Sequence, residues 1–306
     1  MLFGGDYSLN RNMARILLLT AGLIWASGFL VNKYVLNQGW DDSQLLFVRF
    51  FTASVFIFLL FPKRIIKTDK STIKIGLFLG LFMFFGFFFQ TWGIALTTAS
   101  KNAIITAGYI IFLPIITYLF ERKWVPTKTI LAALITFVGI VLVSLNFSDS
   151  TGSINLGDFL TFIGAIFWGI HIYLLGKNAK KKDPVALMAF QLLVVSALSF
   201  ISMMIQTGFP QVDFHTTTSW TVLLASVLIG FFASFVAFVL QSIGQKHTNE
   251  TEAAILISSE SFFGPLMAIL ILHDPVHWNI LLGMVIVFFG FLLSETDWLT
   301  RKRKIT

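Results

Sequence analysis

The sequence predicts an all-α integral membrane protein, ten transmembrane helices arranged as two inverted five-helix repeats, and three observations carry the prediction. Apolar blocks of bilayer length recur from end to end, basic residues crowd onto alternate connectors, and the second half of the chain aligns with the first. A helix needs ~20 mostly apolar residues to cross the hydrocarbon core.

The 306 residues are 56% hydrophobic and only 12% charged, with a mean hydropathy of +0.83, far outside the usage of soluble domains. The net charge of +7 sits in loops between spans, which is a topological signal and not a nucleic-acid groove. Cysteine is absent, which excludes disulfides, thiolate metal sites and thiol nucleophiles.

In chain order the spans are expected at 13–32, 43–61, 73–95, 101–120, 127–145, 157–176, 185–206, 219–243, 252–272 and 278–295. The opening segment, with Arg11 and Arg15 ahead of an apolar run, has the outline of a cleavable signal peptide. That reading is rejected, because the run recurs at the sixth span. With the N-terminus cytoplasmic, nineteen of the 22 Lys and Arg lie on the cytoplasmic side; Lys33 and Lys101 lie outside and Arg49 within the second span. This distribution follows the positive-inside rule and supports ten spans with both termini in the cytoplasm of a multi-pass cell-membrane protein.

An offset of 151 residues places Gln90 on Gln241, Gly93 on Gly244, Thr97 on Thr248, Pro114 on Pro265 and Gly139 on Gly290, with 14 identities in the 53 residues from 90 to 142. An offset of 143 brings the first span onto the sixth, with Trp25 on Trp168 and Gly28 on His171. The chain therefore reads as two repeats, 13–145 and 157–295. Five spans per copy force opposite orientations. Lys63, Arg64 and Lys67 follow the second span, while the equivalent loop at 207–219 holds no Lys or Arg. Inverted repeats of this kind place a solute site near the midplane between the copies.

The 252–272 span carries the deepest acid of the chain, Glu260, beside Ser258, Ser259 and Ser261, with Pro265 following. A carboxylate at that depth costs ~2.5–3.5 kcal/mol on insertion scales and so is expected to face other helices or a wet cavity. Pro265 removes a backbone donor and invites a kink. Its counterpart Pro114 lies in the 101–121 stretch, where Tyr109 stands in place of Glu260 and Asn102 and Thr106 precede it on a similar face. Trp25, Gly28 and Asn32 share a helix face with Ala21, as do Gly164, Trp168 and His171 in the second copy. Gln90 and Gln241 are matched amides whose donors and acceptors need partners inside the membrane. The alternative for Glu260 is a structural acid, protonated or paired with Arg49.

Several motifs carry less. His273 and His277 have the i, i+4 spacing of helical metal ligands, but Pro275 between them argues against a metal. Gly76 and Gly80 form a GxxxG better suited to intramolecular packing than to dimerisation. The 301–304 basic cluster is a topological anchor with possible access to anionic lipid.

The first-span run WASGFLVNK at 25–33, Arg49 within the second span, Phe120, Glu121 and Arg122 closing the fourth, and Gly139 in the fifth resemble the drug/metabolite transporter superfamily, and its EamA-type exporters most closely, over residues 13–295. The resemblance implies a ten-helix carrier with cytoplasmic termini that moves small organic solutes, often amino acids or related metabolites, usually outward. In one departure, Glu121 has no counterpart in the second copy, where Leu272, His273 and Asp274 stand.

The expected function is a secondary carrier exporting small organic metabolites such as amino acids or drugs by alternating access, through a pocket formed by Trp25, Phe29, Asn32, Gln90, Thr106, Tyr109, Trp168, His171, Gln241, Ser259 and Glu260, with Tyr173 as a further aromatic wall. Its partners are the small-molecule substrate and the lipid bilayer; no cofactor, no nucleic acid and no obligatory oligomer is expected. A GxxxxGKS/T motif is absent, so transport is expected to run on gradients or exchange, or to use a partner. The alternatives are a carrier for sugar nucleotides or phosphate esters, which would want more buried cations than Arg49, and a membrane-embedded enzyme, against which stands the lack of HExxH, GxSxG and paired intramembrane aspartates.

Overall fold

The computed structural model describes residues 9–122, 127–145, 155–207 and 219–300, and every element among them is helical. The first half comprises α1 (Arg11–Asn37), α2 (Asp42–Leu60), the short α3 (Pro62–Ile66), α4 (Lys70–Leu96), α5 (Ala99–Thr106), α6 (Tyr109–Glu121) and α7 (Thr127–Ser144). The second comprises α8 (Leu156–Ala179), α9 (Pro184–Thr207), α10 (Trp220–Ile229), a π-helical segment Gly230–Val236, α11 (Ala237–Lys246), α12 (Glu250–Ile257), α13 (Glu260–Ile271) and α14 (Trp278–Thr300). Eight helical stretches, among them Ala99–Glu121, Trp220–Lys246 and Glu252–Ile271, are long and apolar enough to cross a bilayer, and the shorter apolar Ile130–Ser144 and Trp278–Gly290 bring the count to ten. The 301–304 cluster, Lys123 and the 208–218 part of the uncharged loop lie outside the described residues.

The repeat is visible in the smallest details of the backbone. The fourth span breaks between α5 and α6 at Ala107 and Gly108, and the ninth breaks between α12 and α13 at Ser258 and Ser259, the equivalent positions at the 151 offset. Hydrogen bonds to the third residue back replace the α pattern there, as in Gly108 N to Ile105 O (2.9 Å) and Ser261 N to Ser258 O (2.9 Å). Both prolines follow the break by six residues or more, so the interruption lies a turn and a half upstream of the kink expected at Pro265. In the second copy Ser258 Oγ and Ser261 Oγ bond the carbonyls of Ile255 and Ser258, local bonds that compete with the helical ladder. Thr98 and Asn249, again equivalent, cap α5 and α12. Arg122 and His273, also equivalent, both end their helices in the left-handed conformation at φ 55°.

Contacts between the copies obey a two-fold logic. α2 packs on α9 and α7 on α14, each helix against its own counterpart, and α5 of the fourth span packs on α13 of the ninth. At the α7–α14 seam, a Cβ on Gly139 would lie 2.8 Å from Val287 and 2.9 Å from the Gly283 carbonyl, while one on Gly290 would meet Thr136 and the Ala132 carbonyl. Val287 is the counterpart of Thr136 and Gly283 of Ala132, so the two approaches are one contact seen from either side of an axis. Likewise Gly93 abuts Gly157 and Thr161, and Gly244 abuts Ala14 and Leu18. Small residues let helix backbones approach where lipid provides no hydrophobic drive for association.

Packing also fixes the alignment of the second and seventh spans. α2 and α9 correspond at an offset of 142, one less than the first and sixth spans, which pairs Asp41 with Asp183, Leu45 with Leu187, Ser54 with Ser196 and Phe58 with Phe200. Gly80 lies on Gln191 and Val194, as Gly230 lies on Arg49 and Thr52, so Gly80 and Gly230 correspond at 150 while Gln90 and Gln241 correspond at 151. The π-helical segment lies between and takes up the extra residue. Gly76 and Gly80 pack on α9 through Phe190, Leu187, Gln191 and Val194.

Enlarging Gly139 or Gly290 to Leu is expected to lower stability by ~1–3 kcal/mol each through overpacking of the α7–α14 seam. Thermal unfolding of the detergent-solubilised protein measures this, and an unchanged midpoint for both variants would contradict the close-packed axis.

Candidate functional site

A cavity lies between the two copies, and both contribute to it in matched positions. From the first copy come Trp25, Gly28, Phe29 and Asn32 on α1, Arg49 on α2, Phe87 and Gln90 on α4, Thr106 on α5 and Tyr109 on α6. From the second come Trp168 and Ile172 on α8, Phe238 and Gln241 on α11, Ile257 on α12 and Glu260 on α13. The space open to the centre of a water-sized sphere is about 40 Å³, against roughly 10–15 Å³ for a single water. That space has room for a few waters.

The helix breaks explain how α5, α6, α12 and α13 reach the centre. Tyr109 and Glu260 are the first residues after the two breaks, so each sits in the first turn of a half-helix well inside the bundle. A carboxylate at a helix N-terminus is favoured by the aligned peptide dipoles. Tyr109 donates its hydroxyl hydrogen to Glu260 Oε1 at 3.4 Å and lies 3.4 Å from the Ala254 carbonyl. The residues that the two-fold relation makes equivalent thus meet at the axis.

Two aromatic walls repeat this relation. Trp25 packs on Phe238 with ring centroids 4.7 Å apart, and Trp168 packs edge-on against Phe87 at 4.6 Å. Each Trp meets the phenylalanine of the opposite copy. Trp25 Nε1 donates to the Ala233 carbonyl at 2.8 Å, whereas Trp168 Nε1 has no hydrogen-bond partner among the described residues. The glutamines differ in the same way. Gln90 Nε2 donates to Thr106 Oγ1 at 2.9 Å, and the backbone carbonyl of Gln90 accepts from Asn102 Nδ2 (3.1 Å), which also donates to Thr161 Oγ1 (2.6 Å). Gln241 Oε1 is left without a hydrogen-bond partner among the described residues. The second copy therefore brings the unmet donor and acceptor to the cavity wall.

Of the eleven residues singled out from sequence, nine line this cavity and two do not. His171 is fully buried behind the wall, where its Nε2 donates to Gln191 Oε1 at 2.6 Å. Ser259 packs against Gly22 of α1, because it precedes Glu260 on the break and points to the adjacent helix. Tyr173 also lies elsewhere, bonding Glu121 Oε1 at 3.2 Å, with Lys177 Nζ 2.5 Å from the same oxygen. Glu260 is not paired with Arg49: among the described residues no Lys, Arg or His nitrogen lies within 4.0 Å of its carboxylate, and Arg49 instead bonds Ser234 and Asn32. Among the described residues no cluster of metal-ligating side chains is found. Phe87 and Phe238 were not singled out; their equivalence at the 151 offset was a usable signal, obscured by the 35 phenylalanines of the chain.

Partly buried polar contacts tie the two copies together at both ends of the bundle. At the end carrying most of the basic residues, Arg11 and Arg15 converge on Glu252, each at 2.5 Å. At the other, Lys101 reaches Asp158 at 3.3 Å, and Asp158 also accepts from Thr97 (2.6 Å). Lys101 is the counterpart of Glu252 at the 151 offset and Asp158 the counterpart of Arg15 at 143. The same bridge is therefore built twice with its charges exchanged.

Comparison with known proteins agrees with this architecture. A family model described as the EamA-like transporter family matches residues 12–145 and again 155–296. An uncharacterized transporter of Archaeoglobus fulgidus is 32% identical over 296 residues, covering 93% of this chain and 88% of its own length. The uncharacterized transporter YoaV of Bacillus subtilis is 20% identical over 95% of this chain and 100% of its own. A solved crystal structure, described only as that of a protein, shares the fold with a TM-score of 0.68 at 15% identity over 96% of this chain. The chain belongs to the EamA-like transporter family, and it is a multi-pass membrane transporter.

Proposed function

We propose that the protein is a secondary carrier that exports small organic metabolites, amino acids foremost and amphipathic drugs by extension, across the cell membrane with both of its termini in the cytoplasm. The observation that carries this reading is the cavity between the copies, to which each repeat brings the same Trp, Phe and Gln. A site on a pseudo-two-fold axis stays in place while the halves rock around it, which is the physical requirement of alternating access. The lining combines aromatic faces with a few polar groups, the composition of a small-solute site. Outward direction rests on the family resemblance.

The two charge-exchanged bridges supply the ends that such a cycle opens in turn. Arg15 with Glu252 ties α1 to α12 at one end, and Asp158 with Lys101 ties α8 to α5 at the other. Each links an element of one copy to an element of the other, so one must part for the cavity to reach that side.

Counterflow of labelled amino acids in proteoliposomes tests the carrier reading: solute-dependent, gradient-driven exchange is expected, and product formation without flux would overturn it. The bridges make a separate prediction. The natural chain has no cysteine, so a single Ile257→Cys reports access to the cavity. Glu252→Gln is expected to raise its thiol-labelling rate from the basic end, and Lys101→Gln from the other, each by about 1.4- to 5-fold, the range that ~0.2–1 kcal/mol for an ion pair represents. Equal effects of both variants on both sides would remove the gating role.

A further inference from the structure

We infer that Arg49 is the anion-binding residue of the cavity, and that the solute it selects is a zwitterion of the α-amino acid type, carboxylate on Arg49 and ammonium on Glu260. The inference deepens the carrier reading and rests on it.

The first step is the state of Arg49. Its side chain is 3% exposed and lines the cavity. A guanidinium has five N–H donors and cannot be deprotonated in practice. Here the acceptors are neutral: Ser234 Oγ at 2.5 Å from Nε and Asn32 Oδ1 at 3.4 Å from Nη1. Its remaining company is aromatic, with the guanidinium carbon 4.6 Å from the Phe87 ring centre and 5.2 Å from that of Phe50. Among the described residues no carboxylate oxygen lies within 4.0 Å of it. A buried charge without a counter-charge is costly to a fold, and structures normally pair it.

The second step is that the fold itself does not require a cation there. In the other copy the equivalent position at the 142 offset is Gln191, a neutral residue closed off by His171 at 2.6 Å and by its bond to the Leu187 carbonyl at 3.1 Å. The same helix packs in the same way around either side chain, with Gly80 on Gln191 and Gly230 on Arg49. Glu260 is the mirror case, since its equivalent is the neutral Tyr109. Glu260 is 5% exposed and lies on the same cavity, and among the described residues its side chain has one hydrogen-bond partner, the Tyr109 hydroxyl.

The cavity is thus symmetric in its aromatic and amide groups and polar in its charges. One copy provides an unmatched cation and the other an unmatched carboxylate, and the two do not neutralise each other. A solute with a carboxylate and an ammonium satisfies both, and a planar carboxylate suits the guanidinium fork. An amine leaves Arg49 unmet, a simple acid leaves Glu260 unmet, and a phosphate ester brings added negative charge beside Glu260. Trp168 and Phe238 remain for the side chain of the solute.

The experiment is competition against counterflow of labelled L-amino acids in proteoliposomes. For the best-exchanged amino acid, the competitors are the unlabelled compound, its decarboxylated amine, its deaminated acid and a phosphate ester of similar size. The wild-type protein is expected to prefer the amino acid over all three by about tenfold or more, the ratio that ~1.4 kcal/mol represents. Arg49→Gln should reduce competition by the amino acid to the level of the amine while leaving the amine unchanged, and Glu260→Gln should do the same with respect to the acid. Wild-type protein that accepts the amine or the phosphate ester as readily as the amino acid overturns the inference without needing any variant to fold. A monodisperse Arg49→Gln or Arg49→Lys protein with undiminished preference for the carboxylate also overturns it. Robust exchange of amino acids with no charge preference contradicts this inference alone, whereas no exchange of any solute contradicts the carrier reading and this one with it.

Discussion

The rest of the structure depends on one constraint, that a five-helix sequence must pack against an inverted copy of itself. Inside a bilayer, helix association draws on close packing and hydrogen bonds because lipid tails are as apolar as the side chains. The chain meets that demand with small residues at paired positions. Gly139 and Gly290 admit the facing backbones at the α7–α14 seam, and Gly93 and Gly244 do so where α4 meets α8 and α11 meets α1. Interruptions follow the same law: the break at Ala107 and Gly108 has its image at Ser258 and Ser259, and these paired breaks carry Tyr109 and Glu260 to the centre.

Inversion also dictates where the copies differ. Equivalent positions near helix ends fall on opposite faces of the membrane, where the charge bias of the loops is opposite. Arg15 and Asp158 illustrate the outcome, since each stands at the start of the first helix of its copy, and their partners Glu252 and Lys101 are exchanged to match. Differences near the midplane have no such topological cause. Arg49 in place of Gln191 and Glu260 in place of Tyr109 break the symmetry of the cavity lining, and on that asymmetry the proposed recognition of the solute rests.

Much of this was legible in the sequence because bilayer length and repeat offset are strong one-dimensional signals. Ten apolar stretches, the matched Gln90 and Gln241, and the deep Glu260 were all found by counting residues. What escaped was three-dimensional. His171 shares a helix face with Trp168 in a linear reading, yet one turn along α8 it has passed behind the wall to Gln191 on α9. Ser259 neighbours Glu260 in sequence, but a tight turn aims adjacent side chains in different directions, and it meets Gly22. Equivalence of Arg49 to Gln191 was hidden by a one-residue change of offset between α1 and α2, and the π-helical segment Gly230–Val236 concealed a second one.

The central claim is that both copies face one and the same solute site. Single cysteines at Gln90 and at Gln241, placed in the otherwise cysteine-free chain, test it through protection from thiol labelling by the transported solute. A single shared site predicts protection of both positions with the same half-maximal solute concentration. Protection of one position alone, or two clearly different concentrations, would contradict it.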